Sequence, residues 1–270
     1  MSATLEPEKA LLAQRKARFW EETNYDHAFR GSFGRYMTEV EARALQRVFP
    51  DAKPSLVLDL GCGHGRFLRW LAPRAEKLIG LDRSWRLLGV AKQWEQAEPP
   101  AVPCELVWGS AQDLPFADRS VDAITCVRVV QHLPDQDKAY AEIRRVLKRE
   151  GALVLVQYNW ISPHGLIRAF KLPVKATIRK LMRLSGREPK FDEPTQWASF
   201  SELRTQLEAA GFVVERSTGA WLFPLQYFRS RRSNNAWPGF AAIAYALEAL
   251  ADVAPFKYLA GYMIVRCRPR

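Results

Sequence analysis

The chain has no apolar run approaching the roughly 18 residues a membrane-crossing helix needs, so a helical integral membrane protein is not expected. Its opening stretch, MSATLEPEKALLAQRKARFW, lacks an apolar h-region, and no signal peptide is expected there. Cysteine is scarce. Cys62, Cys104, Cys126 and Cys267 stand apart with no CxxC pair, which speaks against a zinc site or disulfide framework and fits a reducing cytoplasm. Internal repeats and low-complexity tracts are absent, and so is an excess of acid. The 40 Lys+Arg outnumber the 29 Asp+Glu for a formal charge of +11. Such a surface favours anionic partners, whether nucleic acid, acidic lipid headgroups or a phosphorylated substrate, without choosing among them.

What is present is an ordinary globular composition, 48% hydrophobic and 26% charged over 270 residues. That suffices for one large α/β domain with an insertion, or two small domains. Residues 5–23 read as a helix, the segment NYDHAFRGSFGRY as a polar aromatic connection, and 39–49 as a second helix before Pro50 and Pro54. Strand patterns (LVLDL, KLIGLD, CELVWGSA, VDAITCVRVV, ALVLVQY) then alternate with helical ones (FLRWLAPRA, SWRLLGVAKQWEQA, and DQDKAYAEIRRVLKREG closed by Gly151). This rhythm predicts a parallel sheet wrapped on both faces. It breaks after Tyr158 with the basic, proline-bearing PHGLIRAFKLPVKATIRKLMRLSGREPKF. It resumes as a helix (SFSELRTQLEAAG), a strand (FVVERSTG), a helix over 239–251 and a final strand (YMIVRCRP).

The expected architecture is therefore a doubly wound, mostly parallel seven-stranded α/β sheet of Rossmann-like type, with N-terminal helices and a lid insertion after the fifth strand. Its parts are a helical cap (1–49), a core (50–158), the insertion (159–200) and a C-terminal completion of the sheet with a second variable insertion (201–270).

The chemistry concentrates in LVLDLGCGHGRFL, where a strand ends in Asp59 and Gly61, Gly63 and Gly65 follow. Glycine-rich βα turns at the carboxyl ends of parallel strands approach ligands closely. The dinucleotide fingerprint GxGxxG is not met, because Arg66 stands where its third glycine would fall, and Asp59 would sit poorly beside a pyrophosphate. A cationic or zwitterionic ligand suits the turn better. DLGCGHG, Asp82 in GLDRS, Asp113 in SAQDLPF, the VRVVQHLPD segment and EIRRVLKREGALVL together resemble a class I S-adenosylmethionine-dependent methyltransferase of the type 11 group. The likeness covers about residues 50–158, and the elements after residue 200 more weakly.

The resemblance implies S-adenosylmethionine as the cofactor and a set of roles. Gly61 and Gly63 pass close to its methionine portion, and Asp82 accepts the ribose hydroxyls. Within SAQDLPF, Ala111 and Gln112 bind the cofactor, Asp113 accepts the adenine amino group and the Leu114 amide donates to the adenine ring. Either Trp85 or the stem of Arg83 covers the adenine. Val127 and Arg128 lie near the sulfonium. Asp59 either meets the ligand or accepts the amides of the glycine turn, and Arg35 is either a methionine-carboxylate ligand or a surface arginine.

Because a sulfonium is already a strong electrophile, the protein chiefly has to align an acceptor, with no metal required and a base needed only if the acceptor must lose a proton. The candidates are His132, His27 and Tyr25, with Tyr158 and His164 behind them; His132 serves either as base or as a tie for its own turn. In the insertion, Ile167, Phe170, Val174, Ile178 and Leu181 recur at helical steps with Arg168, Lys171, Lys175 and Arg179 one place on. The pattern fits a lid packing its apolar face on the domain, or a helix resting on an anionic membrane. A second basic cluster, Arg229, Arg231 and Arg232, lies beside Phe228 and Trp237. The expected activity is methyl transfer to oxygen or carbon of a small hydrophobic or anionic metabolite. The alternatives are RNA methylation, less favoured, and S-adenosylmethionine binding without catalysis.

Overall fold

The structure, a computed structural model, describes residues 14–16, 18–22, 29, 31–186, 195–230 and 232–270. Seven strands form one sheet: β1 (Leu56–Leu60), β2 (Lys77–Asp82), β3 (Cys104–Trp108), β4 (Val121–Val127), β5 (Leu147–Tyr158), β6 (Phe212–Ala220) and β7 (Tyr262–Pro269). Their order is β3-β2-β1-β4-β5-β7-β6, with β7 antiparallel to both neighbours and the other pairings parallel. The expected α/β architecture is present. The strand order reverses between β1 and β4, which places a crevice at their carboxyl ends.

The central strands read as continuous apolar runs because both their faces are covered. Val57, Leu58, Ile124, Val154 and Leu155 are all fully buried. On one face lies helix α1 (Gly31–Val48), whose Tyr36, Met37, Val40 and Leu45 join Val57, Val154 and Ile264 in one core cluster. The short α2 (Leu68–Leu71) sits on the same side, contributing Leu71. Helix α3 (Trp85–Ala97) starts at Ser84, whose hydroxyl accepts the Leu87 N–H. On the opposite face, α4 (Gln136–Val146) and α6 (Phe200–Ala209) bury Tyr140, Ile143, Leu203 and Leu207 against Leu58, Ile124 and Leu155. A capping box of Ser199 and Glu202 opens α6. Helix α7 (Pro238–Glu248) is fastened through Glu248, which accepts hydrogen bonds from the Tyr36 hydroxyl and the Trp221 and Leu222 amides.

Three expectations need correction. Helix α1 begins at Gly31 rather than at residue 39, because the aromatic segment supplies buried core contacts through Phe33 and Tyr36. Helix α4 stops at Val146 rather than at Gly151. Leu147 pairs with Val121, the register then jumps to Ala152 opposite Ala123, and the backbone hydrogen bonds offered by β4 outweigh the helical periodicity of the sequence.

The third correction concerns the insertion, which forms the 22-residue helix α5 (Pro163–Leu184), continuous through Pro173. Its root is held firmly. His164 is buried, one ring nitrogen 2.9 Å from the Trp221 carbonyl and the other 2.8 Å from Gln226 Nε2, with its ring stacked on Trp221. Beyond the root, the apolar stripe does not pack on the domain: Phe170 is 82% exposed, and Val174, Ile178 and Leu181 are exposed as well. The side that meets the body is basic. The Arg168 guanidinium lies 5.2 Å from the Trp197 ring, and Lys171 Nζ lies 3.9 Å from that of Tyr227.

Candidate active site

At the carboxyl ends of β1, β2 and β4 the chain leaves a cleft, the place where open α/β sheets bind their ligands. The turn after β1 shapes its floor. Gly61 has φ +72°, and a Cβ there would meet Val129 Cγ2 at 2.3 Å, so only glycine fits. Gly63 has φ +56° and nothing within 4 Å of where a Cβ would stand, so its backbone borders open space. The Gly61 and Cys62 amides both donate to the Leu81 carbonyl, at 2.7 and 3.0 Å, which ties the turn to the end of β2.

Asp82 closes that end. One carboxylate oxygen accepts the Gly63 N–H at 2.8 Å and the other the Ser84 N–H at 2.9 Å, while the residue lines the cleft at only 8% exposure. Burial raises its pKa above the ordinary carboxylate range, and the amides of Ser84 and Gly63 oppose that rise. Each oxygen keeps lone-pair capacity for a ligand hydroxyl.

Of the residues singled out from the sequence, Gly61, Gly63, Asp82, Arg83, Ala111, Val127, Arg128 and His132 line this cleft. Others do not. Asp59 is buried behind the turn and accepts the Thr125 hydroxyl at 2.7 Å; it bonds none of the turn amides, and burial raises its pKa to about 6. The Leu114 amide is engaged by Glu142 at 2.7 Å, so it offers no donor to a ring. Asp113 is exposed away from the lining, and Gln112 turns its amide to the Asp135 carbonyl. Trp85 stacks on Trp108 outside the cleft, 65% exposed, which leaves Arg83 as the covering residue on that wall. Arg35 is an exposed residue of α1 that does not line the cleft. His164 has both ring nitrogens engaged, and burial lowers its pKa to about 3, so it is no base. Tyr158 stacks on Trp197. His27, Tyr25 and Arg231 fall outside the described residues.

The sequence reading missed what covers and what charges the cleft. Helical residues 14–16 and 18–22 bring Lys16 and Trp20 to its wall. Lys16 Nζ donates to the His132 carbonyl at 2.6 Å, and Trp20 meets the His132 ring edge-on at 5.1 Å. Glu21 fastens this segment by accepting the Trp85 and Arg86 amides at the start of α3, where helix N–H groups lack intrahelical partners.

Behind Arg128, Glu41 is fully buried and pairs with two arginines, Arg66 through one oxygen and Arg128 at 3.0 Å through the other. Arg128 also donates to the Tyr262 hydroxyl at 3.2 Å, and Phe29 lies against both guanidiniums. Of the two arginines only Arg128 lines the cleft, and Glu41 joins it to Arg66 behind the wall. Arg66 is the residue that replaces the third glycine of a dinucleotide turn; here it binds the helix that covers the sheet. The signal was present, since Glu41 falls on the apolar stripe of α1.

The comparisons agree with this geometry. Residues 58–155 match the model of the methyltransferase domain family. A methyltransferase of Bacillus subtilis, YcgJ, is 36% identical over 171 residues, covering 63% of this chain and 62% of its own. A demethylmenaquinone methyltransferase of Lactiplantibacillus plantarum is 32% identical over 165 residues, covering 58% of this chain and 69% of its own. The chain belongs to the class I S-adenosylmethionine-dependent methyltransferases, type 11 group. A solved methyltransferase of Thermotoga maritima, described as a possible histamine N-methyltransferase, superposes with a TM-score of 0.60 at 20% identity, covering 94% of this chain and 98% of its own. That likeness shows the class I methyltransferase fold. The chain spans between 33% and 62% of the length of the curated relatives it matches first.

Proposed function

We propose that this class I methyltransferase moves a methyl group from S-adenosylmethionine to an oxygen or carbon of a small hydrophobic or anionic metabolite. The observation that carries the reading is the pairing, on one cleft, of the open Gly63 backbone with the buried Asp82 carboxylate. A ligand with vicinal hydroxyls and a zwitterionic tail fits both groups. Asp82 would hold the ribose, the Gly61–Gly63 backbone would admit the methionine portion, and Arg128 on the cleft wall would attract its carboxylate. When bound, the cofactor supplies an electrophilic methyl group. The chain's own part is to align the acceptor, exclude water with Trp20 and Lys16, and take up a proton where the acceptor has one to lose. His132 is the base we assign, because it lines the same cleft and its ring is positioned by Trp20.

Two measurements test this. S-adenosylhomocysteine should raise the melting temperature, since a ligand of the native state stabilises by mass action, and NAD should not; the reverse result overturns the reading. Asp82→Ala should then weaken S-adenosylhomocysteine binding roughly tenfold or more, as loss of charge-assisted hydrogen bonds does. His132→Ala should spare that binding and lower turnover. Mass spectrometry of products formed from small-molecule, lipid and RNA extracts identifies the acceptor.

A further inference from the structure

The N-terminal segment that lines the cleft is tied to both of its banks. On one bank the Glu21 carboxylate accepts the Trp85 N–H at 2.9 Å and the Arg86 N–H at 3.2 Å, at the start of α3, which follows β2. On the other, Lys16 Nζ donates to the His132 carbonyl at 2.6 Å, in the turn Val130–His132 that follows β4, and Trp20 meets the His132 ring. In the sheet, β2 and β4 flank β1. A segment fastened to the exits of both passes over the exit of β1, where Gly61 and Gly63 form the cleft floor. Lys16 is only 3% exposed, as a residue on the inner face of such a cover should be. The Glu21 tie is also fitted to its place. The first N–H groups of a helix lack intrahelical partners, and a carboxylate is favoured there. Here four consecutive amides are all satisfied: Ser84 by Asp82, Trp85 and Arg86 by Glu21, and Leu87 by the Ser84 hydroxyl.

We propose that this segment is a strap that must lift for S-adenosylmethionine to enter and S-adenosylhomocysteine to leave, and that Glu21 is the positioning residue that latches it. The proposal rests on the S-adenosylmethionine reading above. With both ties made, Lys16 and Trp20 stand over the floor, and a ligand held by Asp82 lies beneath them. Lifting the strap breaks its ties but opens no core, because none of its described residues belongs to a hydrophobic core cluster. Elements with few buried apolar contacts are the ones that open locally. The Glu21 tie is charge-assisted and so outweighs a neutral hydrogen bond, which makes it the stronger hold. Its position links it to the ligand. Asp82 fixes the Ser84 amide immediately before the two that Glu21 takes, so the group assigned to the ribose and the group that closes the strap organise one turn. Closure also brings Lys16 and Trp20 onto His132, so the same latch positions the assigned base. Cover and base then come into place together, with the cofactor enclosed and water excluded.

The test is the kinetics of S-adenosylhomocysteine binding to the full chain, with association and dissociation rate constants measured separately by surface plasmon resonance. Glu21→Gln keeps the shape of the side chain and removes its charge. It should raise both rate constants roughly fivefold or more, the difference between a charged and a neutral acceptor, while keeping the wild-type melting temperature. A merely structural contact would not speed association. Lys16→Met releases the opposite bank and should speed exchange in the same way, which decides the matter should Glu21→Gln melt early. Glu22→Gln is the control. Its carboxylate pairs with Arg18 at 2.6 Å, both side chains largely exposed, and its loss should change neither rate. Exchange at the wild-type rate in both strap variants overturns the proposal. Faster dissociation with unchanged association overturns it as well, because the segment would then be a wall that touches the ligand and not a gate. Failure of the wild type to bind S-adenosylhomocysteine at all would instead sink the cofactor reading on which the strap rests.

Discussion

In α1, Phe33, Met37, Val40, Ala44 and Val48 recur every three or four residues and are buried; in α5, Phe170, Val174, Ile178 and Leu181 recur at the same steps and are exposed. Both helices are amphipathic, and the pattern alone does not separate them. Their charges do. Helix α1 carries Glu41 within its buried stripe, where Arg66 and Arg128 from the sheet's loops meet it, so its charged group has partners inside the domain. Helix α5 carries only cations. Amphipathicity shows that a face needs cover, and burial in the fold shows whether this domain supplies it.

The most damaging way to break the comparison is to remove the charge that commits α1 to the core. Glu41→Leu would leave two largely buried guanidiniums without their carboxylate, and deleting one member of a buried ionic group costs about 3–5 kcal/mol. Chemical denaturation of the variant should show a loss of that order, together with weaker S-adenosylhomocysteine binding, because Arg128 lines the cleft. A loss below about 1 kcal/mol would mean that the carboxylate is not what holds these arginines.

Matched truncations in the two stripes sharpen the contrast. Leu45→Ala empties a fully buried position in α1 and should cost about 2–5 kcal/mol. Leu181→Ala, at an exposed position in α5, should stay within about 0.5 kcal/mol. Equal costs would show that α5 is covered in solution.

The root of α5 offers a test through pH. His164 has its folded pKa lowered by burial to about 3, below the ordinary 6.5 or so. Between those values the unfolded chain binds a proton that the folded chain refuses. The contribution is therefore complete above about pH 6.5 and is lost progressively as pH falls toward about 3. Going from pH 7 to pH 5, this single group should withdraw on the order of 2 kcal/mol of stability. His164→Asn should start less stable and show a shallower fall, so the gap between variant and wild type narrows on acidification. A gap independent of pH would mean that His164 titrates normally.

Much of the sheet was legible from sequence. Apolar runs marked the central strands, since strands buried on two faces need little beyond apolarity to be recognised, whereas the half-exposed edge strands β3 and β6 were marked by shorter apolar stretches beside helices. The limits were harder where tertiary pairing decides them, as at Leu147, a helical residue by pattern that β4 draws into the sheet. The cleft was legible where backbone geometry forces a residue type, at Gly61, and where a strand ends in an acid, at Asp82. It was less legible where a long-range partner takes a group away. Glu142 removes the Leu114 amide and Thr125 takes Asp59, and neither partner lies near its target in the chain. Glu41 could have been read as an acid on an apolar stripe, but its two arginines meet only in the fold.

The smallest expected effect is the most discriminating for α5. If the helix serves a surface outside the cleft, then Lys171→Gln/Lys175→Gln/Arg179→Gln should leave the S-adenosylhomocysteine dissociation constant within about twofold, because that cleft is lined from β1, β2, β4, the loops after β1 to β4, α3 and the N-terminal segment, and by no residue of α5. Stability should also hold, since Lys171 and Lys175 are exposed and surface substitutions stay within about 0.5 kcal/mol. Calorimetric titration beside Asp82→Ala gives the scale, because the aspartate variant should lose roughly tenfold or more in the same assay. Weakened cofactor binding in a glutamine variant that melts normally would make α5 part of the cofactor site. Both helices would then serve the cleft, and the contrast between them would fail.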